Sequence, residues 1–176
     1  MRLALFFLLL SGSLVACSGS TGVGSSYDAE TGLTRYSSAS IPLGRSQTAV
    51  YGAGTSIVME AEAECRGEGC SPETYVVRLS NPSPNPITTD FNQVQFTTPQ
   101  GTVSFEPGQR AEGGETTTFF SSGRGELVRI LLPRDIFASF ATSQEFSVRL
   151  GSNDYRVPYG ARASLRRMVP GLPENQ

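Results

Sequence analysis

Between Ser56 and Cys65 the chain alternates: Ile57, Met59, Ala61, Ala63 and Cys65 fall on one side, Glu60, Glu62 and Glu64 on the other. Successive side chains of a strand point to opposite faces, so this pattern predicts a β-strand with one face in a core and one in water. A second β-rich run, Thr74 to Ser80, follows the loop Cys65-Arg-Gly-Glu-Gly-Cys70. Two strands joined by so short a glycine-containing loop predict an antiparallel hairpin closed at its tip by the two cysteines.

Turn signals repeat the theme downstream. Asn81-Pro-Ser-Pro-Asn-Pro86 places prolines at alternate positions, which cannot donate to a ladder, and reads as an extended connector between sheets. Phe91–Thr97 and Thr102–Phe105 flank Pro99-Gln100-Gly101 as a second hairpin, before a polar loop over 106–114. Thr116–Phe120 and Glu126–Leu132 flank a Ser/Gly/Arg turn as a third. Arg134–Thr142 changes period: Ile136, Phe137, Phe140 and Ala141 recur at helical spacing after Pro133, with Asp135 in the first turn. Glu145–Leu150 alternates again, and Gly151–Asp154 turns into a strand over Tyr155–Pro158. The stretch 160–169 sets Ala161, Leu165 and Met168 on one helical face and stops at Pro170. Together these segments predict a mainly β fold, an antiparallel β-sandwich or rolled sheet with two short C-terminal helices.

The first seventeen residues read differently. Arg2 precedes an apolar run from Leu3 to Leu10, shorter than the about 20 residues a membrane-spanning helix needs, and small residues then lead to Leu14-Val15-Ala16-Cys17. Charge, apolar core and small residues in that order are a secretory signal. Leu-Val-Ala-Cys resembles the lipobox of bacterial lipoproteins. The resemblance implies cleavage before Cys17, a diacylglycerol on its thiol, and a mature protein with enough acyl chains for stable anchoring, since one chain holds only marginally. Ser18 rather than Asp follows the cysteine, which implies the outer membrane in a Gram-negative host. The expected organisation is a signal peptide over 1–16, a lipidated Cys17 with a Gly/Ser tether over 17–26, one domain over 27–169, and a loose tail over 170–176. Export to an oxidising compartment makes a structural disulfide the expected state of Cys65 and Cys70; two thiols without histidine make a poor metal cage, and redox dithiols use closer spacing.

Composition narrows the chemistry. The sequence has no histidine, tryptophan or lysine, and all its 14 basic residues are arginines. Arginine stays protonated, so the usual tunable proton carriers are missing, and with them Ser-His-Asp, Cys-His and Schiff-base catalysis. Neither a catalytic set nor a metal or cofactor site is expected. A net charge of −2 gives no reason to expect nucleic acid as a partner.

Three patterns remain as surfaces. Glu60, Glu62 and Glu64 form a carboxylate row with neighbours about 6.6 Å apart, read as a solvated face partly neutralised by Arg78, with a calcium contact or a carboxylate hydrolase as the sharper alternatives. Arg162, Arg166 and Arg167 form a basic surface on the last helix, favourable near a helix C-terminus or toward anionic headgroups. Gly52-Ala-Gly54-Thr-Ser lacks the lysine of a phosphate loop and reads as a turn or bulge. The expected function is a membrane-anchored envelope lipoprotein serving as a non-catalytic structural or protein-interaction module. Its membrane contact is the N-terminal lipid, and its partner is another envelope protein. The alternative is a lipid-anchored binding module for a small or extended ligand.

Overall fold

The computed structural model describes residues 24–43, 57–82, 93–108, 118–119 and 125–172. The chain runs through β1 (Gly24–Asp28), β2 (Leu33–Ser37), β3 (Ile41–Pro42), β4 (Val58–Arg66), β5 (Thr74–Asn81), β6 (Val94–Thr98), β7 (Gly101–Phe105), β8 (Thr118–Phe119) and β9 (Gly125–Pro133). Helix α1 (Arg134–Thr142), β10 (Ser147–Leu150), β11 (Asn153–Arg156) and a 3-10 turn (Gly160–Arg162) that leads into α2 (Ala163–Arg167) complete it. All pairings are antiparallel. One sheet has the order β1-β2-β4-β5-β9-β8, with β3 also on β4; the other has the order β11-β10-β6-β7. Both sheets are open at their ends, so the architecture is a sandwich and not a closed barrel.

The alternation in β4 does what its spacing requires. Met59, Ala61 and Ala63 are buried, while Glu64 is exposed and Glu60 and Glu62 are half-buried on the opposite face. β5 repeats the pattern with Tyr75, Val77 and Leu79 inside. On β9 both Leu127 and Val128 are buried, which strict alternation forbids. The register against β5 shifts between Leu79 and Ser80, leaving Leu127 as the extra residue of a bulge, so two consecutive side chains face the core.

Helix α1 joins the sheets through aromatic rings. Phe137 stacks on Tyr75 of β5 at 4.0 Å between centroids and meets Phe140 at 5.0 Å. Phe140 in turn stacks on Phe146 at 4.9 Å and meets the edge of Phe96 from β6 at 5.4 Å. One continuous core results, with α1 as its bridge.

No strand is predicted before Ser56, yet the described residues there include three. β2 pairs with Glu62–Arg66 and β3 with Val58–Met59, so β2, a bend and β3 act as one interrupted strand along β4. Ser38 holds the bend: its N–H donates to Ala61 O at 2.8 Å, and its Oγ accepts from Ala61 N–H at 2.8 Å. β1 starts at Gly24, inside the expected tether, because Gly24–Ser26 pair with Arg35–Ser37. The expected tail is docked in its first residues: Leu172 packs on the core, and Pro170 O accepts from an Arg134 N–H at 2.7 Å. β11 begins at Asn153, two residues early, after the tight turn Gly151-Ser152 in which Gly151 has φ 58°.

The sulfurs of Cys65 and Cys70 are bridged, with Cα atoms 5.9 Å apart, as export chemistry leads one to expect. β2 fastens the same loop: Thr34 Oγ1 donates to Gly67 O at 2.5 Å, Tyr36 Oη donates to Cys70 O at 2.6 Å, and Gly67 N–H donates to Gly32 O at 2.9 Å. Closing so short a loop restricts the unfolded chain by about 2 kcal/mol. Replacing both cysteines with serine is therefore expected to cost about 2 kcal/mol in urea denaturation while leaving the strand content intact.

Candidate functional site

The three glutamates of β4 do not form one site. Glu60 accepts a hydrogen bond from Ser40 Oγ, Glu62 pairs with Arg78 of β5, and Glu64 pairs with Arg35 of β2 at 2.8 Å. Each carboxylate is directed to a different neighbour. Among the described residues no group of three His, Cys, Asp or Glu side chains is placed to hold a metal ion.

Two of the three border a furrow of about 590 Å³ on the outward face of the larger sheet. The register explains its shape. One cross-strand row is Gly24, Ser37, Glu62, Val76 and Leu131, each opposite the next across β1, β2, β4, β5 and β9. The neighbouring row, two residues along, holds Ser26, Arg35, Glu64 and Thr74. The floor between the rows comes from Tyr36 and Ala63, which lie opposite each other with side chains buried on the core side. Strands about 4.8 Å apart make this trough about 19 Å long from Ser26 to Leu131 and one row, about 6.6 Å, wide. Its lining is graded: apolar at Val76 and Leu131, carboxylate at Glu62 and Glu64, guanidinium and hydroxyl at Arg35, Ser37 and Ser26.

Sequence reasoning finds Glu62, Glu64 and Arg78 but misses Arg35, Ser26 and Ser37, which β1 and β2 supply. A signal was there. Asp28 to Gly32 is a turn, with Asp28 accepting the backbone N–H of Glu30 at 3.0 Å and Gly32 at φ 68°, and Thr34 and Tyr36 alternate with Arg35 and Ser37 after it. Hydrogen bonds from Thr31 and from the Glu30 backbone hold the Asp28 carboxyl below its ordinary pKa.

The expected basic surface is overturned at its first member. Arg162 has 0 % exposure, the largest side chain among the fully buried ones. Its guanidinium donates to Phe140 O in the last turn of α1, to Ser143 O of its C-cap at 2.7 Å and to Gln144 O just beyond at 3.4 Å. It also lies 5.4 Å from the Phe146 ring centroid and 5.5 Å from that of Tyr159. Helix C-termini leave carbonyls without intrahelical partners, and here a distant arginine supplies the donors. Burial, and secondarily Arg166, pull its pKa down to about 10. The helical phase shifts with it: the 3-10 turn before α2 turns Ala161 outward and Arg162 inward. Arg166 is half-buried, stacks 4.0 Å above the Tyr159 ring and donates to Tyr159 O at 2.9 Å. Arg167 is exposed beside a smaller cleft that it lines with Arg166, Val169 and Leu172.

Cys17, the expected signal peptide over 1–16, the expected turn or bulge at Gly52–Ser56 and most of the expected proline connector lie outside the described residues. Among the described residues no helix is long and apolar enough to cross a membrane. No family model, curated protein or solved structure matches the chain.

Proposed function

We propose that the chain is a lipid-anchored lipoprotein of the bacterial cell envelope, on the periplasmic face of the outer membrane, whose β-sandwich body is a non-catalytic structural or protein-interaction module. The observation that carries this reading is the sequence of a positive charge, an apolar run and small residues ending in Leu14-Val15-Ala16-Cys17, with only six residues between Cys17 and β1. The seven steps from Cys17 to Gly24 span at most about 25 Å, so a lipid on Cys17 keeps the body close to the bilayer. The missing histidine and lysine, and the dispersal of the β4 carboxylates among Ser40, Arg78 and Arg35, support a role in contact rather than chemistry.

The furrow favours a second reading alongside the first, a lipid-anchored module that binds an extended ligand. The anchor is tested by Cys17→Ser. Fractionation of the native host is expected to move the variant from the membrane pellet to the soluble fraction, because removing the acylated side chain removes the main membrane contact. A variant that still pellets with the membrane overturns the anchor. Crosslinking of the lipidated protein in its envelope, followed by pull-down, tests for the partner protein.

A further inference from the structure

From the furrow across β1, β2, β4, β5 and β9 we infer that the body binds an extended peptide of about six residues carrying one apolar and one basic side chain. This deepens the reading of the body as an interaction module and rests on it. The geometry selects a single extended chain: about 19 Å of trough accommodates about six residues at 3.3 Å each, and the width is one side-chain row. The chemistry selects a peptide. Amides need acceptors and donors, and Glu62 and Glu64 offer the first while Arg35, Ser26, Ser37 and Thr74 offer the second. Among the described residues Tyr36 is the one aromatic at the trough, and its ring is buried beneath the floor with its hydroxyl donating to Cys70 O, so stacked sugars or bases find no platform there.

Position sets the sequence preference. Val76 and Leu131, half-buried on the outward face, receive an apolar side chain at one end. One strand from Val76 and two from Leu131, about 5–10 Å away, Glu62 and Glu64 line the trough, Glu64 paired with Arg35 and Glu62 with Arg78. The Arg35–Glu64 pair is more than half exposed on both sides, and such pairs are held weakly, so a basic ligand side chain can share Glu64. The apolar and basic residues of the ligand are therefore two positions apart, about 6.6 Å, on one face of the extended chain.

The test uses the full chain purified in detergent and a positional-scanning library of acetylated, amidated hexapeptides read by fluorescence polarisation. The expected result is selection of Leu, Ile or Val near one end and of Arg or Lys two positions away. Leu131→Glu is expected to abolish the apolar preference, and Glu64→Gln the basic one. Each should weaken the best peptide about tenfold, or 1.4 kcal/mol. A library without positional preference overturns the inference, as do best peptides that bind both variants as tightly as the parent. Circular dichroism checks that the variants fold; should Leu131→Glu not fold, the exposed Glu64→Gln decides alone. Cys17→Ser protein, which bears on the anchor, is expected to bind the same peptides, so failure of the anchor and failure of the furrow read out separately.

Discussion

Replacing Arg162 with alanine is expected to lower the stability of the body by about 3–5 kcal/mol, measured by urea denaturation. The substitution removes the donors to Phe140 O and Ser143 O, and each buried acceptor left without a partner costs about 1–3 kcal/mol. It also leaves a void beside Phe146 and Tyr159, over whose rings the guanidinium lies. Arg162→Lys keeps the charge but not the planar fork that reaches several carbonyls at once, so it is expected to recover only part of the loss. By contrast Arg167→Ala, at an exposed position, should change stability by less than about 0.5 kcal/mol. Equal, small effects at Arg162 and Arg167 would return Arg162 to the surface.

The second large effect is expected at Phe140. Its ring meets Phe96, Phe137 and Phe146, so it touches the smaller sheet, its own helix and the segment entering β10. Phe140→Ala is expected to cost about 3–5 kcal/mol through lost burial and the cavity left behind. Because α1 ties Tyr75 on one sheet to Phe96 on the other, the variant should also lose near-ultraviolet circular dichroism before far-ultraviolet signal on heating. A change under 1 kcal/mol with unaltered aromatic signal would show that the sheets do not depend on this bridge.

What could be read in advance follows from how each signal is generated. β4, β5, the hairpin β6–β7 and helix α1 were legible because period and turn residues are local properties. The β1–β2 hairpin and β3 leave a weaker local signal: Leu33–Ser37 is short, its buried positions Thr34 and Tyr36 are amphipathic, and its pairing partner lies about thirty residues downstream. Consequently the glutamate row was visible but the furrow was not, since half of its lining comes from β1 and β2. Arg162 misleads for a different reason. Arginine is almost always exposed, and only the tertiary placement of the α1 C-terminus beside the 3-10 turn makes its burial favourable. The bulge at Leu127 is likewise invisible until β9 is laid against β5.

The proposed anchor makes a definite demand on the N-terminus of the mature polypeptide. Intact-mass spectrometry of protein extracted from the native envelope measures that directly. The account predicts a chain starting at Cys17 that carries the mass of a diacylglycerol and further acylation, with Cys65 and Cys70 oxidised. A chain that retains Met1–Ala16, or one that starts elsewhere without lipid, would contradict it.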